Sequence, residues 1–137
     1  MRKFYCFKIK EDYYKLVNNR PKELYLIIHN LYHPEEYKIN PAINFIKEIR
    51  VPFNKEILND NLYNYYQDKY NYIKVNNTHQ INDYFTKERS SLTVYNNFLL
   101  IETNTNFPTF LKHISKKEKI FVVDFKNQDY FWLHEYK

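Results

Sequence analysis

The sequence predicts an α/β fold of the α+β type, in which helices pack on one mixed sheet of about five strands. Three observations carry this prediction. Apolar residues alternate near the start of the 137-residue chain, they recur at helical spacing through its first half, and short apolar runs separated by turn residues fill its last third. Because neither an internal repeat nor a linker interrupts this order, residues 1–137 are expected to form a single domain.

The first element is a strand over residues 4–9, followed by a short helix over residues 11–18. In the strand, one face holds Tyr5, Phe7 and Ile9, and the other holds Phe4, Cys6 and Lys8. In the helix, Tyr13, Tyr14, Leu16 and Val17 spread over about 160° of the helical wheel, whereas one buried face needs only about 100°. Part of this helix should therefore stay exposed.

Proline and asparagine mark the helices that follow. Pro21 starts a helix that Pro34 stops, and Asn40-Pro41 starts another that ends before Pro52. Asn54 is a suitable cap for a further helix through about Tyr66. Residues 67–89 remain open between strand and loop, because "NYIKV" and "INDYF" fit either and are separated by the polar "NNTHQ".

The last third predicts two hairpins and one helix. Asn96-Asn97 separates two apolar runs, and Asn tolerates the positive φ angles of a two-residue turn. A helix is expected over residues 107–114. Two final strands flank Asn127-Gln128, and the first of them is apolar enough to be buried on both faces.

Composition excludes several classes of site. The chain contains no glycine, so a P-loop, a dinucleotide-binding fingerprint, a nucleophile elbow and an EF-hand cannot be present in standard form. The single cysteine permits no internal disulfide, and neither a signal peptide nor a membrane-spanning run is seen. These features predict a cytoplasmic protein without a membrane partner.

The remaining candidates for chemistry have structural explanations. His29 and His33 lie one helical turn apart, but no further ligand completes a metal site. Cys6 is expected in the core, as is Trp132, while Glu35, Glu36, Asp124 and Asp129 are read as solvated charges or turn formers. We therefore expect no cofactor, no metal and no enzymatic activity, although a pocket of residues distant in sequence would leave no linear signature.

The net charge of +5 comes entirely from the opening stretch. Residues 1–22 hold seven Lys or Arg and two acidic residues, so the remainder of the chain is neutral. Basic residues together with many aromatics would also suit a protein that binds single-stranded nucleic acid. Arginine is scarce and no helix carries a basic stripe, so a protein partner is favoured and nucleic-acid binding remains the alternative.

Three segments of the sequence resemble one family. "FYCFKIKEDYYKL" at the start, "INFIKEIRVP" in the middle and "VVDFKNQDYFWL" at the end are similar to the sporulation inhibitors of replication, the SirA family. The resemblance covers nearly the full chain and is weakest over residues 67–95. It implies a protein that binds the N-terminal domain, domain I, of the replication initiator DnaA and restrains initiation.

The resemblance also implies a docking surface that begins at the short helix after the first strand. Tyr13 matches the family's aromatic position after "IKE", and Val17 stands where the family carries a second aromatic residue. On this reading Tyr13 anchors the interface and Tyr14 and Val17 flank it. Lys10, Lys15 and Arg50 would steer the partner, and an exposed apolar arc with basic neighbours suits an acidic partner surface.

Overall fold

The computed structural model describes residues 1–32, 49–114 and 118–135. The strands in these ranges are β1 (Arg2–Lys8), β2 (Tyr72–Val75), β3 (Thr78–Asn82), β4 (Arg89–Val94), β5 (Leu99–Thr103), β6 (Ile120–Asp124) and β7 (Asp129–Trp132). The helices are α1 (Glu11–Val17), α2 (Pro21–Tyr32), α3 (Lys55–Tyr66) and α4 (Thr109–His113), and a 3-10 helix covers Leu133–Glu135.

The strands form one seven-stranded sheet in the order β2-β3-β4-β5-β1-β6-β7. Every pairing between them is antiparallel. The α+β prediction is therefore confirmed, but a mixed sheet and a count of about five strands were wrong. The additional strands are β2 and β3, which lie in the stretch that the sequence left open between strand and loop.

Helices cover both faces of the sheet. Phe7 of β1 and Ile9, which directly follows β1, face a cluster that includes Val17 of α1 and Leu24 of α2. On the opposite face, Phe4 and Cys6 join a second cluster with side chains from α3 and α4, such as Leu62 and Phe110. The alternation predicted for β1 is confirmed. Because β6 lies between these two layers, all five of its residues are buried, as the sequence predicted.

The predicted helices agree with the structure where it describes them. α2 begins at Pro21 and buries Leu24 and Ile28. α3 begins after Asn54, whose side-chain oxygen accepts a hydrogen bond from the Ile57 backbone N–H at 3.1 Å. α4 is shorter than predicted, since it starts only at Thr109 after Pro108. The helix predicted from Pro41 lies almost entirely outside the described residues.

Both predicted hairpins are present, with one difference in backbone geometry. Asn96-Asn97 connects β4 to β5, and Tyr95 N–H bonds to the Phe98 carbonyl at 3.1 Å across the turn. Neither of these asparagines has a positive φ angle; Asn76, Lys87 and Gln128 do, at 55°, 61° and 53°. Asn76 lies in the β2–β3 turn, Lys87 in the β3–β4 loop and Gln128 in the β6–β7 turn, so all three positive-φ residues lie in connections other than the β4–β5 turn.

No helix within the described ranges is long and apolar enough to cross a membrane.

Candidate functional site

The short helix α1 is held at its start by the end of β1 and by residues 49–51. Ile9 forms a bridge with Arg50, and the Lys10 backbone N–H donates to the Ile49 carbonyl at 2.8 Å. The Lys10 carbonyl then accepts the first helical hydrogen bond from Tyr14 N–H at 2.9 Å. No side chain caps this end, but Glu11 and Asp12 in the first turn favour the helix through its dipole. Residues 49–51 thus bring Arg50 beside the start of α1.

The apolar residues of α1 divide between core and surface. Val17 is only 7% exposed and belongs to the core shared with α2, whereas Leu16 is 70% exposed. Tyr13 is half-buried against the same core. Burial and the nearby Glu23 carboxylate raise the pKa of the Tyr13 phenol. On a helical wheel Leu16 and Tyr13 are about 60° apart, so they form one continuous patch.

Tyr14 occupies the other side of α1, where it packs against the C-terminal part of the chain. Its ring meets the Trp132 ring edge-on at a centroid distance of 4.7 Å. Its hydroxyl lies 3.0 Å from Nε2 of His134, and the Lys119 ammonium lies 4.6 Å from its ring centroid. Tyr14 therefore fixes the position of α1 on the sheet in addition to any surface that it offers.

The charged residues predicted for the site are brought together only in part. Lys10 and Lys15 are exposed, and Arg50 is partly buried with no hydrogen-bond partner at Nε among the described residues. We call these three cations, with the exposed part of α1, the α1 surface. Glu11 and Asp12 are also exposed on this helix, so the α1 surface is mixed in charge rather than strongly basic.

Much of the charge surplus of the opening stretch is neutralised elsewhere. Arg2 bonds to Asp124 at 2.9 Å and to Asp129 at 3.0 Å. Lys8 and Glu118 are 2.9 Å apart, and a weaker contact of 3.7 Å joins the exposed side chains of Arg20 and Glu23. The sequence count therefore overstated the positive charge available to a partner of α1. Asp124 is also not a solvated charge, since it is 1% exposed, although it does accept the Asn127 N–H in its turn.

Residues considered for other chemistry have structural roles where they are described. Cys6 is fully buried, and burial raises the pKa of its thiol, which disfavours the nucleophilic thiolate. Trp132 is 1% exposed in the core. Across the described part of the chain, no three His, Cys, Asp or Glu side chains are grouped as metal ligands. His33, Glu35 and Glu36 lie outside those ranges.

Sequence reasoning did not single out Leu16 or His134. Leu16 was counted in the wide apolar arc of α1, but spacing alone does not show which residue of that arc is exposed. No local pattern connects His134 with Tyr14, because they are 120 positions apart in the chain. Their contact depends on the antiparallel pairing of β1 with β6 and of β6 with β7.

Comparison with known proteins identifies the family of this chain. A search of curated proteins finds no significant match. The family model described as "Sporulation inhibitor of replication protein SirA" matches residues 2–137. This chain therefore belongs to the SirA family of sporulation inhibitors of replication, a regulatory, non-enzymatic family whose membership implies inhibition of replication initiation through DnaA.

Proposed function

We propose that this chain restrains chromosome replication by binding domain I of DnaA through the α1 surface. The support for DnaA as the partner is membership in the SirA family. Occupying domain I would suffice for inhibition if it blocks the surface that DnaA uses for self-assembly or for helper proteins. The whole chain acts as one domain in this proposal, in the cytoplasm where chromosomal replication takes place.

The observation that carries the choice of surface is the 70% exposure of Leu16 beside half-buried Tyr13. An aromatic ring that is already packed on one side loses little side-chain entropy when a partner covers its other side. The neighbouring leucine adds apolar area that water contacts in the free protein. Together they have the composition of an interface centre, at which aromatic anchors contribute most of the affinity.

The other predicted residues take different parts in this proposal. Tyr14 flanks the anchor and holds α1 against Trp132 and His134. Val17 supports the helix from the core side, since it offers only 7% of its surface. Lys10, Lys15 and Arg50 steer the partner, and the mixed charge of the α1 surface indicates that they fix orientation more than they add affinity.

Binding of purified DnaA domain I to variants of the full chain tests this proposal. Tyr13→Ala should weaken binding by about 2 to 4 kcal/mol and Leu16→Ala by about 1 to 2 kcal/mol. Lys15→Ala should mainly slow association and reduce its dependence on salt. Each variant is first checked for an unchanged circular dichroism spectrum and unfolding midpoint.

A matched control is Ile57→Ala. Ile57 is 57% exposed on α3, which packs on the opposite face of the sheet, so its truncation removes similar apolar surface away from α1. Its affinity for domain I should equal that of the wild type. If Tyr13→Ala and Leu16→Ala also bind normally, the α1 surface is not the interface. If the wild type does not bind, domain I is not the target.

A further inference from the structure

A second surface with a different composition lies at the far end of the sheet from α1. Four aromatic side chains are largely exposed there: Tyr70 at 69%, Tyr84 at 80%, Phe85 at 87% and Phe107 at 63%. Four exposed cations accompany them, namely Lys69, Lys87, Arg89 and Lys112. We call these eight residues the aromatic loop surface. Exposed rings at this density are unusual for a soluble domain and indicate a contact surface.

The antiparallel pairing establishes that the two surfaces lie at opposite ends. Arg2, Thr103 and Ser90 are paired across β1, β5 and β4 and mark one end of these strands. The loop containing Tyr84 and Phe85 enters β4 at this end. α1 follows β1 at the opposite end of the strands, about 20 Å away for a seven-residue strand. A ligand at the aromatic loop surface would therefore leave α1 accessible.

The loop that presents Tyr84 and Phe85 is held in shape by Asp83. Its Oδ1 accepts hydrogen bonds from the backbone N–H groups of Phe85 at 2.8 Å and Thr86 at 3.2 Å. Its Oδ2 accepts one from the Asn71 side chain at 3.3 Å, next to Tyr70. The rings thus project from a backbone that is already held in place, so the loop itself does not need to be ordered when a ligand binds.

The acidic groups of this region are largely engaged within the protein. Glu88 is 8% exposed, and its carboxylate accepts hydrogen bonds from Ser90, from Thr109 N–H and from the Thr109 hydroxyl at 2.6 to 3.0 Å. Asp83 is occupied by its own loop, which leaves exposed Asp68 beside Lys69 and partly exposed Glu102, which lines a pocket with Arg89. The charge that faces solvent around the rings is therefore mainly positive.

A groove of about 460 Å³ runs between the loop and α4. Its lining includes Thr86, Lys87, Asn104, Phe107 and Lys112, and also Glu88, whose carboxylate is already bonded to Ser90 and Thr109. Hydroxyl and amide groups with two ammonium groups suit a sugar–phosphate backbone better than they suit the apolar side chains of a protein partner. Beside this polar groove, the separate exposed rings provide flat faces on which bases can stack.

From this arrangement we propose that the aromatic loop surface binds single-stranded nucleic acid. The phosphates lie along Lys87, Arg89 and Lys112, and unpaired bases stack on Tyr84 and Phe85. Such binding requires no base-specific hydrogen bond, so it tolerates different sequences. Duplex is bound more weakly, because its bases are stacked on each other and unavailable to the rings.

The test measures fluorescence anisotropy of a labelled thymidine oligonucleotide of about 20 nucleotides with the full chain. The logarithm of the binding constant should fall with the logarithm of salt concentration with a slope of about −2, as expected for three neutralised phosphates on a single strand. Tyr84→Ala and Phe85→Ala should each weaken binding by about 5- to 150-fold. A duplex of equal length should bind less tightly.

Charge variants separate this surface from a general effect of net charge. Lys87→Glu and Lys112→Glu should each weaken binding and reduce the salt slope, whereas Lys15→Glu changes the net charge equally at the opposite end and should do so much less. Equal loss in all three variants, no loss on removal of the rings, or no binding at low salt would each overturn the proposal. If polyglutamate competes as well as the oligonucleotide, the surface takes acidic polypeptide instead.

Discussion

The hydroxyl of Tyr14 lies 3.0 Å from Nε2 of His134 and so connects α1 to the 3-10 helix near the end of the chain. The ring of Tyr14 also meets Trp132, which is buried in the same core as Val17. A helix of only seven residues has little stability of its own. These long-range contacts, more than its sequence propensity, keep α1 in place.

Removing the hydroxyl and removing the ring of Tyr14 should have different costs. Tyr14→Phe loses one hydrogen bond and should lower the free energy of unfolding by about 1 kcal/mol. Tyr14→Ala also removes the packing on Trp132 and the contact with Lys119, and should cost about 3 kcal/mol. Urea denaturation measures both. In the exposed pair of Tyr65 and His113, also at 3.0 Å, Tyr65→Phe should cost less than about 0.5 kcal/mol. Equal stability of Tyr14→Ala and wild type would contradict this account.

Truncation of Val17 should destabilise the protein, whereas truncation of the adjacent Leu16 should change its stability little. Val17→Ala leaves a cavity in the core between α1 and α2 and should reduce the free energy of unfolding by about 2 kcal/mol. Leu16→Ala removes a side chain that water already surrounds, so its stability should change by less than about 0.5 kcal/mol. Thermal and urea unfolding of the two variants, compared at one pH, measures the difference. A larger loss for Leu16→Ala would mean that the helix is rotated from the orientation described.

Local sequence patterns were sufficient for the elements whose signals are contained within a few residues. The alternation in β1, the Asn54 cap of α3 and the apolar run of β6 each depend on local geometry, and each is confirmed. β2 was left open between strand and loop, because three of the four residues of this edge strand are exposed. Its apolar and polar residues therefore do not alternate as they do in a strand with one buried face. Its identity as a strand depends on pairing with β3, which is a tertiary property.

The sequence was sufficient to predict which segment of the chain forms the candidate site, but not which side chains of that segment are exposed. The width of the apolar arc indicated that part of α1 is exposed, and in the structure Leu16 is the exposed apolar residue of that arc. Which residue of the arc turns inward depends on how the helix lies on β1 and α2, so Val17 could not be assigned to the core from spacing alone. The charge count was wrong because the acidic partners of Arg2 are more than 120 residues away in the chain, where no local pattern connects them with Arg2.

The ion pair of Arg2 and Asp124 should stabilise the junction of β1 with the β6–β7 hairpin. Burial by itself would raise the pKa of Asp124, but hydrogen bonds from Asn127 and Arg2 outweigh burial and hold that pKa below its usual value. The stabilisation is therefore fully present above the unfolded-state pKa and is lost as pH falls through the lower folded-state pKa.

Asp124→Asn should consequently lower the free energy of unfolding by about 1 to 3 kcal/mol at neutral pH, and the difference from wild type should be smaller at an acidic pH below the ordinary aspartate pKa of about 3.9. Asp129→Asn is the matched control, because Asp129 also bonds to Arg2 but its side chain is 50% exposed. Its effect should stay below about 1 kcal/mol. Urea denaturation at both pH values provides the comparison. An Asp124→Asn effect that is independent of pH would show that charge is not the cause.

A buried histidine in β3 should make the protein sensitive to acid. His79 is fully buried, with Nδ1 2.6 Å from the Tyr72 hydroxyl and Nε2 2.8 Å from Oδ1 of Asn59. The amide of Asn59 in turn donates to Asn77 Oδ1 at 2.9 Å, so its own Oδ1 is an acceptor. Nε2 therefore carries the proton and Nδ1 accepts from Tyr72, which is the neutral form of the ring.

Burial, together with the nearby Lys74, lowers the pKa of His79 to about 4. In the unfolded chain the same group titrates near about 6.5, so between these two values the unfolded state binds more protons. The free energy of unfolding should therefore fall as pH decreases from about 6.5 to about 4, and the total decrease from this group should be about 3 kcal/mol at most. Below that range the stabilisation that neutral His79 provides should be lost completely. His79→Gln cannot titrate there, so its stability should decline less over the same interval. Urea denaturation of both proteins across that range tests the prediction, and parallel declines would mean that His79 is not the group responsible.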